Sequence, residues 1–221
     1  MADLKSYHGI AARIDRMPIS NFHRKILWLL GGVTFCDSVD MAVGGPIGMV
    51  LQSNGFDVQL STLLTGVMQC GIPVGVGLLT FSVEQVNRKT ILIVTYVLIA
   101  ILGPIWSMLP TDQPYLVMGF GFLVCVFTFT NSVTTASVYL SEPFPTACRI
   151  RGAGVANAFG RLGGIFSPMW IAFFVASPIG TTGAYLVNSC LAICMAIWLA
   201  IFGVETRGKT LEEITEGLLE K

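Results

Sequence analysis

Residues 90–109 read TILIVTYVLIAILGPIWSML. No residue in this stretch is charged. At about 1.5 Å of helical rise per residue it extends roughly 30 Å, the thickness of a bilayer's hydrocarbon core. Arg88 and Lys89 stand before it and Pro110 stands after it. The apolar residues run on without polar alternation. Closed barrels are the other structure able to span lipid, and their strands need that alternation. The stretch reads as a transmembrane helix.

Five similar stretches lie around it, near 26–51, 60–82, 115–140, 153–177 and 183–203. Asn54-Gly55, Pro110 with Pro114, and Pro178 with Gly180 punctuate three of the connections. Composition agrees: 53% of the 221 residues are hydrophobic and 12% are charged, and the mean hydropathy is +0.73. A soluble domain carries about 25% charged residues, so too few polar groups are present to cover a soluble core. The expected fold is an all-α membrane protein of six transmembrane helices. Residues 1–25 form an N-terminal segment on the cytoplasmic side, 26–203 the membrane domain and 204–221 a cytoplasmic tail. Ala11 to Phe22 suits either an interfacial helix or a disordered tail.

Lys and Arg placement supports the count. Of 13 basic residues, only Arg161 falls inside a span, and the others all fall on one side of the alternation. That side is expected to be cytoplasmic, with both termini there, in a plasma or inner membrane. A net charge of +0 gives no reason to expect nucleic acid. The N-terminal segment lacks the pattern of a cleaved signal peptide. Five of the six cysteines, all except Cys148, lie in apolar runs and read as packing residues. Glycines such as Gly71, Gly75, Gly160, Gly163 and Gly164 suit close helix contact. Pro46, Pro73, Pro104 and Pro168 are expected to bend their spans.

Asp37 and Asp40 are the most informative pair. Both fall near mid-depth in the first span, where charge is expensive, and a spacing of three puts them on one face. Two carboxylates so close in a dry site do not both ionise readily. This is the chemistry of a reversible proton site, and a structural ion pair is the plain alternative. Arg161, roughly 12 Å into its span, has three readings: partner to an aspartate, ligand for an anionic substrate, or a side chain that snorkels to the headgroups. Asn131 and Thr134 lead a polar cluster in the fourth span, with Thr128, Thr130, Thr135 and Ser137. Gln69 and Asn188 are of the same kind. They suit a pocket or hydrogen bonds between helices. His8 and His23 are the only histidines, and no P-loop, Cys-x-x-Cys or G-x-S-x-G occurs. No enzyme, cofactor or metal is expected.

Three stretches resemble the major facilitator superfamily of secondary transporters. The tail Glu205-Thr206-Arg207-Gly208-Lys209-Thr210-Leu211-Glu212-Glu213-Ile214 looks like the end of its sugar-porter-like branch. Glu142-Pro143-Phe144-Pro145-Thr146, then Arg149, Arg151 and Gly160-Arg161-Leu162-Gly163-Gly164, resembles its connection between the tenth and eleventh helices. Asp37-Ser38-Val39-Asp40 after Phe22-His23-Arg24 resembles the first helix of organic acid–proton symporters. Glu84, Arg88 and Lys89 match a loop motif of the family, while Gln85 and Asn87 depart from it. The resemblance implies a proton-coupled symporter of a small organic solute, with Asp37 and Asp40 at the coupling or substrate site. It implies cytoplasmic gating contacts at Glu84, Arg88, Glu142, Arg149 and Arg151. The family fold has two six-helix halves with the site between them. This chain has one half's worth, as if half-length or internally deleted. A homodimer is therefore expected, with membrane lipid, the solute and protons as its other partners. The rivals are an inactive deleted transporter and a structural or regulatory membrane protein that does not transport.

Overall fold

The computed structural model describes residues 21–44, 48, 51–52, 55–110, 113–140 and 149–203. Pro46, Glu142, Cys148, the first twenty residues and the tail lie outside them. Among the described residues all regular structure is helical: α1 (Asn21–Gly44), α2 (Val58–Gln69), α3 (Gly71–Ser82), α4 (Arg88–Ser107), α5 (Pro114–Val133), α6 (Arg149–Val175) and α7 (Gly180–Phe202). A π-helical turn, Thr134–Tyr139, prolongs α5.

Local chemistry sets several of these ends. The Asp57 carboxylate caps α2 by accepting from the Gln59 amide at 3.3 Å, and Pro114 opens α5 in the first turn, where its missing N–H costs nothing. Gly55 and Gly180 take positive φ, +95° and +62°, in the two connections where turns are expected. α2 and α3 stack end to end as one span, Val58–Ser82. The break falls at Cys70, three residues before Pro73, whose ring nitrogen has no proton to offer the Gln69 carbonyl. Pro104 and Pro168 instead sit inside unbroken helices.

Five stretches among the described residues are long and apolar enough to cross a membrane, those of α2–α3, α4, α5, α6 and α7. The first expected span is not among them. α1 has 24 residues, about 36 Å at helical rise, long enough to cross the hydrocarbon core, and its side chains are described over 27–41. It packs most extensively against α6 and also touches α5 and α7.

Three pairings dominate the packing: α1 with α6, α3 with α5, and α4 with α7. Numbered by span, these are first with fifth, second with fourth, and third with sixth. Exchanging the first three spans with the last three turns the first pairing into the second and leaves the third unchanged. That is the symmetry of a three-plus-three repeat. Two apolar clusters fill the bundle. One holds Leu30, Val33, Leu92, Tyr96 and Leu199. The other holds Val39, Leu64, Met68, Trp106 and Tyr185. The outside is apolar as well: Leu63, Phe81, Ile101, Phe173, Ile197 and Phe202 are all exposed. Buried polar groups with an apolar exterior suit lipid as the solvent.

The α1–α6 seam is close because glycine makes it so. A Cβ on Gly163 would stand 2.5 Å from the Phe35 carbonyl oxygen, and one on Gly160 would stand 3.0 Å from that of Thr34. Across the same seam the Thr34 hydroxyl lies 2.6 Å from the Ala156 carbonyl. Gly71 and Gly75 bring α3 equally near α5, whereas Gly66, Gly77 and Gly164 face open space. At one end of the bundle Lys89 Nζ donates to the Ala200 carbonyl at 2.9 Å. This places the start of α4 beside the end of α7.

These contacts predict opposite outcomes for neighbouring glycines. Gly163→Ala is expected to destabilise the purified protein by about 1–3 kcal/mol through overpacking. Gly164→Ala is expected to be neutral or to stabilise by up to about 1 kcal/mol through helix propensity. Thermal unfolding of both variants in the same detergent checks the contrast.

Candidate functional site: the aspartates of α1 and the cavity beside them

Asp37 and Asp40 share a face of α1 but reach different neighbours. Asp37 is half-buried and accepts a hydrogen bond from Ser132 Oγ of α5 at 3.2 Å. Asp40 is 3% exposed and accepts from Asn188 Nδ2 of α7 at 2.8 Å. Each carboxylate keeps one buried oxygen without a partner, Asp37 Oδ1 and Asp40 Oδ2. The two acids therefore tie α1 to two helices. They do not form one dyad around a shared partner.

Arg161 is elsewhere. Gly160 and Gly163 turn toward α1, and Arg161 lies on the exposed side of α6. Among the described residues no ion pair joins it to either aspartate. The oxygens of both acids are either held by Ser132 and Asn188 or unpartnered. Of its three readings, the aspartate partnership is the one this geometry does not contain.

Asn131 is fully buried, and its Oδ1 accepts from Thr95 Oγ1 of α4 at 2.9 Å. Thr134 is also fully buried, and its hydroxyl returns to the Thr130 carbonyl one turn earlier at 2.6 Å. Thr95 and Thr130 are buried with them. Thr130 also reaches the Gly75 carbonyl of α3 at 3.1 Å. Tyr96 donates to the Val33 carbonyl at 3.2 Å and fastens α4 to α1. Glu84 and Arg88 lie at the α3–α4 connection, Glu84 exposed and Arg88 half-buried. Arg149 and Arg151 fall in the first turn of α6, and their side chains lie outside the described residues.

A cavity of about 100 Å³ opens beside Asp40. Asp40, Gln69, Trp106, Thr128, Tyr185 and Asn188 contribute to its walls. The volume is several times the roughly 10–15 Å³ that one water needs. Gln69, Thr128 and Asn188, three polar residues of different spans, thus meet in one place. Asn131 and Thr134 are not in its walls. Ser132 was not evident from sequence as a partner of Asp37. Its spacing of four from Thr128 and three from Thr135 is the signal that would have marked it.

The hydrogen bonds predict unequal costs for their loss. Asn188→Leu leaves a buried carboxyl group with no partner and is expected to cost about 3–5 kcal/mol of stability. Ser132→Ala affects a half-buried acid and is expected to cost about 0.5–1.5 kcal/mol. Adding Asp40→Asn to Asn188→Leu should recover part of the larger loss but not of the smaller one. Thermal unfolding of the single and paired variants measures this.

Comparison with known proteins places the architecture. A family model described as sugar (and other) transporter matches residues 47–218. The inner membrane metabolite transport protein YdjE of Escherichia coli is 34% identical over 171 residues, covering 77% of this chain and 37% of that protein. The putative niacin/nicotinamide transporter NiaP of Bacillus subtilis is 33% identical over 131 residues, covering 59% of this chain and 32% of that protein. A solved structure of a double-Trp XylE mutant matches with a TM-score of 0.72 at 21% identity, covering 88% of this chain and 43% of that one. At that identity the likeness speaks to the fold alone. The chain spans a little over a third of the length of the curated relatives it matches. The paired spans, the polar interior under an apolar exterior and these matches agree: this is a multi-pass membrane protein with one half of a major facilitator fold, and it belongs to the sugar (and other) transporter family.

Proposed function

We propose that the chain is a carrier unit for proton-coupled symport of a small organic solute, working by alternating access. One observation carries the reading. Asp37 and Asp40 sit on one helix in mid-bundle, and each holds a different neighbour, α5 through Ser132 and α7 through Asn188. A carboxylate only accepts hydrogen bonds, whereas a carboxylic acid also donates one. Gaining a proton therefore removes a buried charge and changes what each tie can be. The glycine-lined seam with α6 gives α1 a smooth surface to move along. α1 is thus the natural moving part, and the two acids are its latches.

The remaining residues take roles around that motion. Arg161, exposed on α6, is proposed to meet the solute or a second six-helix unit. Asn131 and Thr134 are proposed to hold the buried polar contacts that the latches work against. Glu84, Arg88, Glu142, Arg149 and Arg151 are proposed to make contacts at the cytoplasmic end that differ between states. The relatives' names, metabolite transport and niacin/nicotinamide transport, support a small organic solute. The Escherichia coli relative's name supports an inner membrane. A cavity between halves needs a second unit, and a second copy of this chain is proposed to supply it, with all termini cytoplasmic.

Reconstitution tests the coupling. Proteoliposomes given a solute panel that includes nicotinate should accumulate one member when the outside is acidic, and a protonophore should abolish the accumulation. Asp37→Asn and Asp40→Asn should each lower gradient-driven accumulation by roughly tenfold, a barrier change of about 1.4 kcal/mol. Uptake indifferent to the gradient and to both substitutions would rule out the proton role. For the assembly, a dimer mass in mild detergent is expected. Full uptake by a strict monomer would overturn the two-copy arrangement.

A further inference from the structure

The cavity beside Asp40 has an uneven stock of hydrogen-bonding groups. Three buried acceptor oxygens have no partner: Asp40 Oδ2, Asn188 Oδ1 and Gln69 Oε1. All three residues line the cavity, and Asp40 and Asn188 are 3% and 4% exposed. The Asn188 amide is oriented by its own hydrogen bond. Its Nδ2 faces Asp40 Oδ1, so its oxygen must face away. The walls contain no Lys, Arg or His, and their hydroxyls are those of Thr128 and Tyr185, whose oxygens can also face a cation. Trp106 is there, but its indole N–H is committed to the Val117 carbonyl at 2.8 Å.

We propose that this cavity binds a monovalent metal cation of sodium's size, held by Asp40, Asn188 and Gln69. Unpaired buried acceptors are costly, and a buried carboxylate without a counter-charge more so. A proton on Asp40 would neutralise the charge but has only one hydrogen bond to give. A metal cation in the cavity would meet the charge and offer the unpartnered oxygens a common ligand. An all-oxygen donor set suits a hard cation. One carboxylate matches a single positive charge. Among the described residues no group of three His, Cys, Asp or Glu side chains offers a site for a more highly charged or softer metal.

The site also separates the two acids. Asp40 can then hold the cation or a proton but not both at once, while Asp37, half-buried on Ser132, stays available to protons alone. The term coupling ion for this cation rests on the carrier reading above, but its binding does not.

Thermal unfolding of the purified full-length chain in detergent tests the binding. Sodium chloride is titrated against choline chloride at constant ionic strength. A saturable rise in Tm is expected, about 3–5 °C at a concentration tenfold above half-saturation. Asp40→Asn should abolish the rise. Gln69→Leu removes one oxygen from a half-buried position and is the variant expected to fold in any case. It should raise the half-saturating sodium concentration by roughly tenfold, about 1.4 kcal/mol. Equilibrium binding of radioactive sodium should saturate near one ion per chain. Equal Tm values in sodium and choline, or an unchanged sodium response in Gln69→Leu, would overturn the proposal and leave a cavity that holds water only. Proton-driven uptake surviving such a result would leave the carrier reading intact. A sodium response without any uptake would do the reverse.

Discussion

A polar group at mid-bilayer has no water to turn to, so every partner it needs must come from the protein. In this chain that constraint concentrates on one helix. α1 brings two carboxylates into the bundle. The rest of the architecture reads as the means of accommodating them: Ser132 and Asn188 supply donors, Thr95 and Asn131 add a buried polar contact, and two apolar clusters fill the remaining interior. α1 packs against α5, α6 and α7, and each acid meets one of those neighbours.

The helical order of the chain was legible because lipid demands a simple pattern. The quoted stretch 90–109 corresponds to α4, Arg88–Ser107, with a shift of two residues at each end. The turn at Gly180 was equally plain. Partnerships between helices were much less so. Residue spacing reveals which side chains share a face, but the neighbour that meets the face is chosen by tertiary packing. Asp37 and Asp40 were correctly seen as one face, yet that face straddles two neighbours. Arg161 was a natural suitor for them by charge. Gly160 and Gly163 point toward α1, and the helical phase then turns Arg161 outward. Gln69 and Asn188 were recognisable as polar residues in apolar spans. Their meeting at a cavity depends on the stacking of α2 on α3 and the docking of α7, which no local pattern encodes.

The pairings of spans tie the local chemistry to the family. First with fifth and second with fourth are one contact seen twice, and third with sixth is its own mate. Glycines line both copies of the repeated contact, at Gly160 and Gly163 on α6 and at Gly71 and Gly75 on α3. Ala200 and Lys89 secure the self-paired contact instead, with a cation at the negative end of a helix dipole. Smooth seams and a fastened strut thus alternate around the same six spans.

The π-helical turn after α5 has an effect beyond its own six residues. Its signature is the Leu140 amide bonding to the Thr135 carbonyl at 2.9 Å, five residues back where an α-helix would reach four. Such a turn takes up one residue more than regular winding. It does so after Asn131 and Ser132, whose hydrogen bonds with Thr95 and Asp37 are set by the regular α-helix before it. The surplus residue of the fourth span is thereby housed where it leaves the register of these polar contacts untouched.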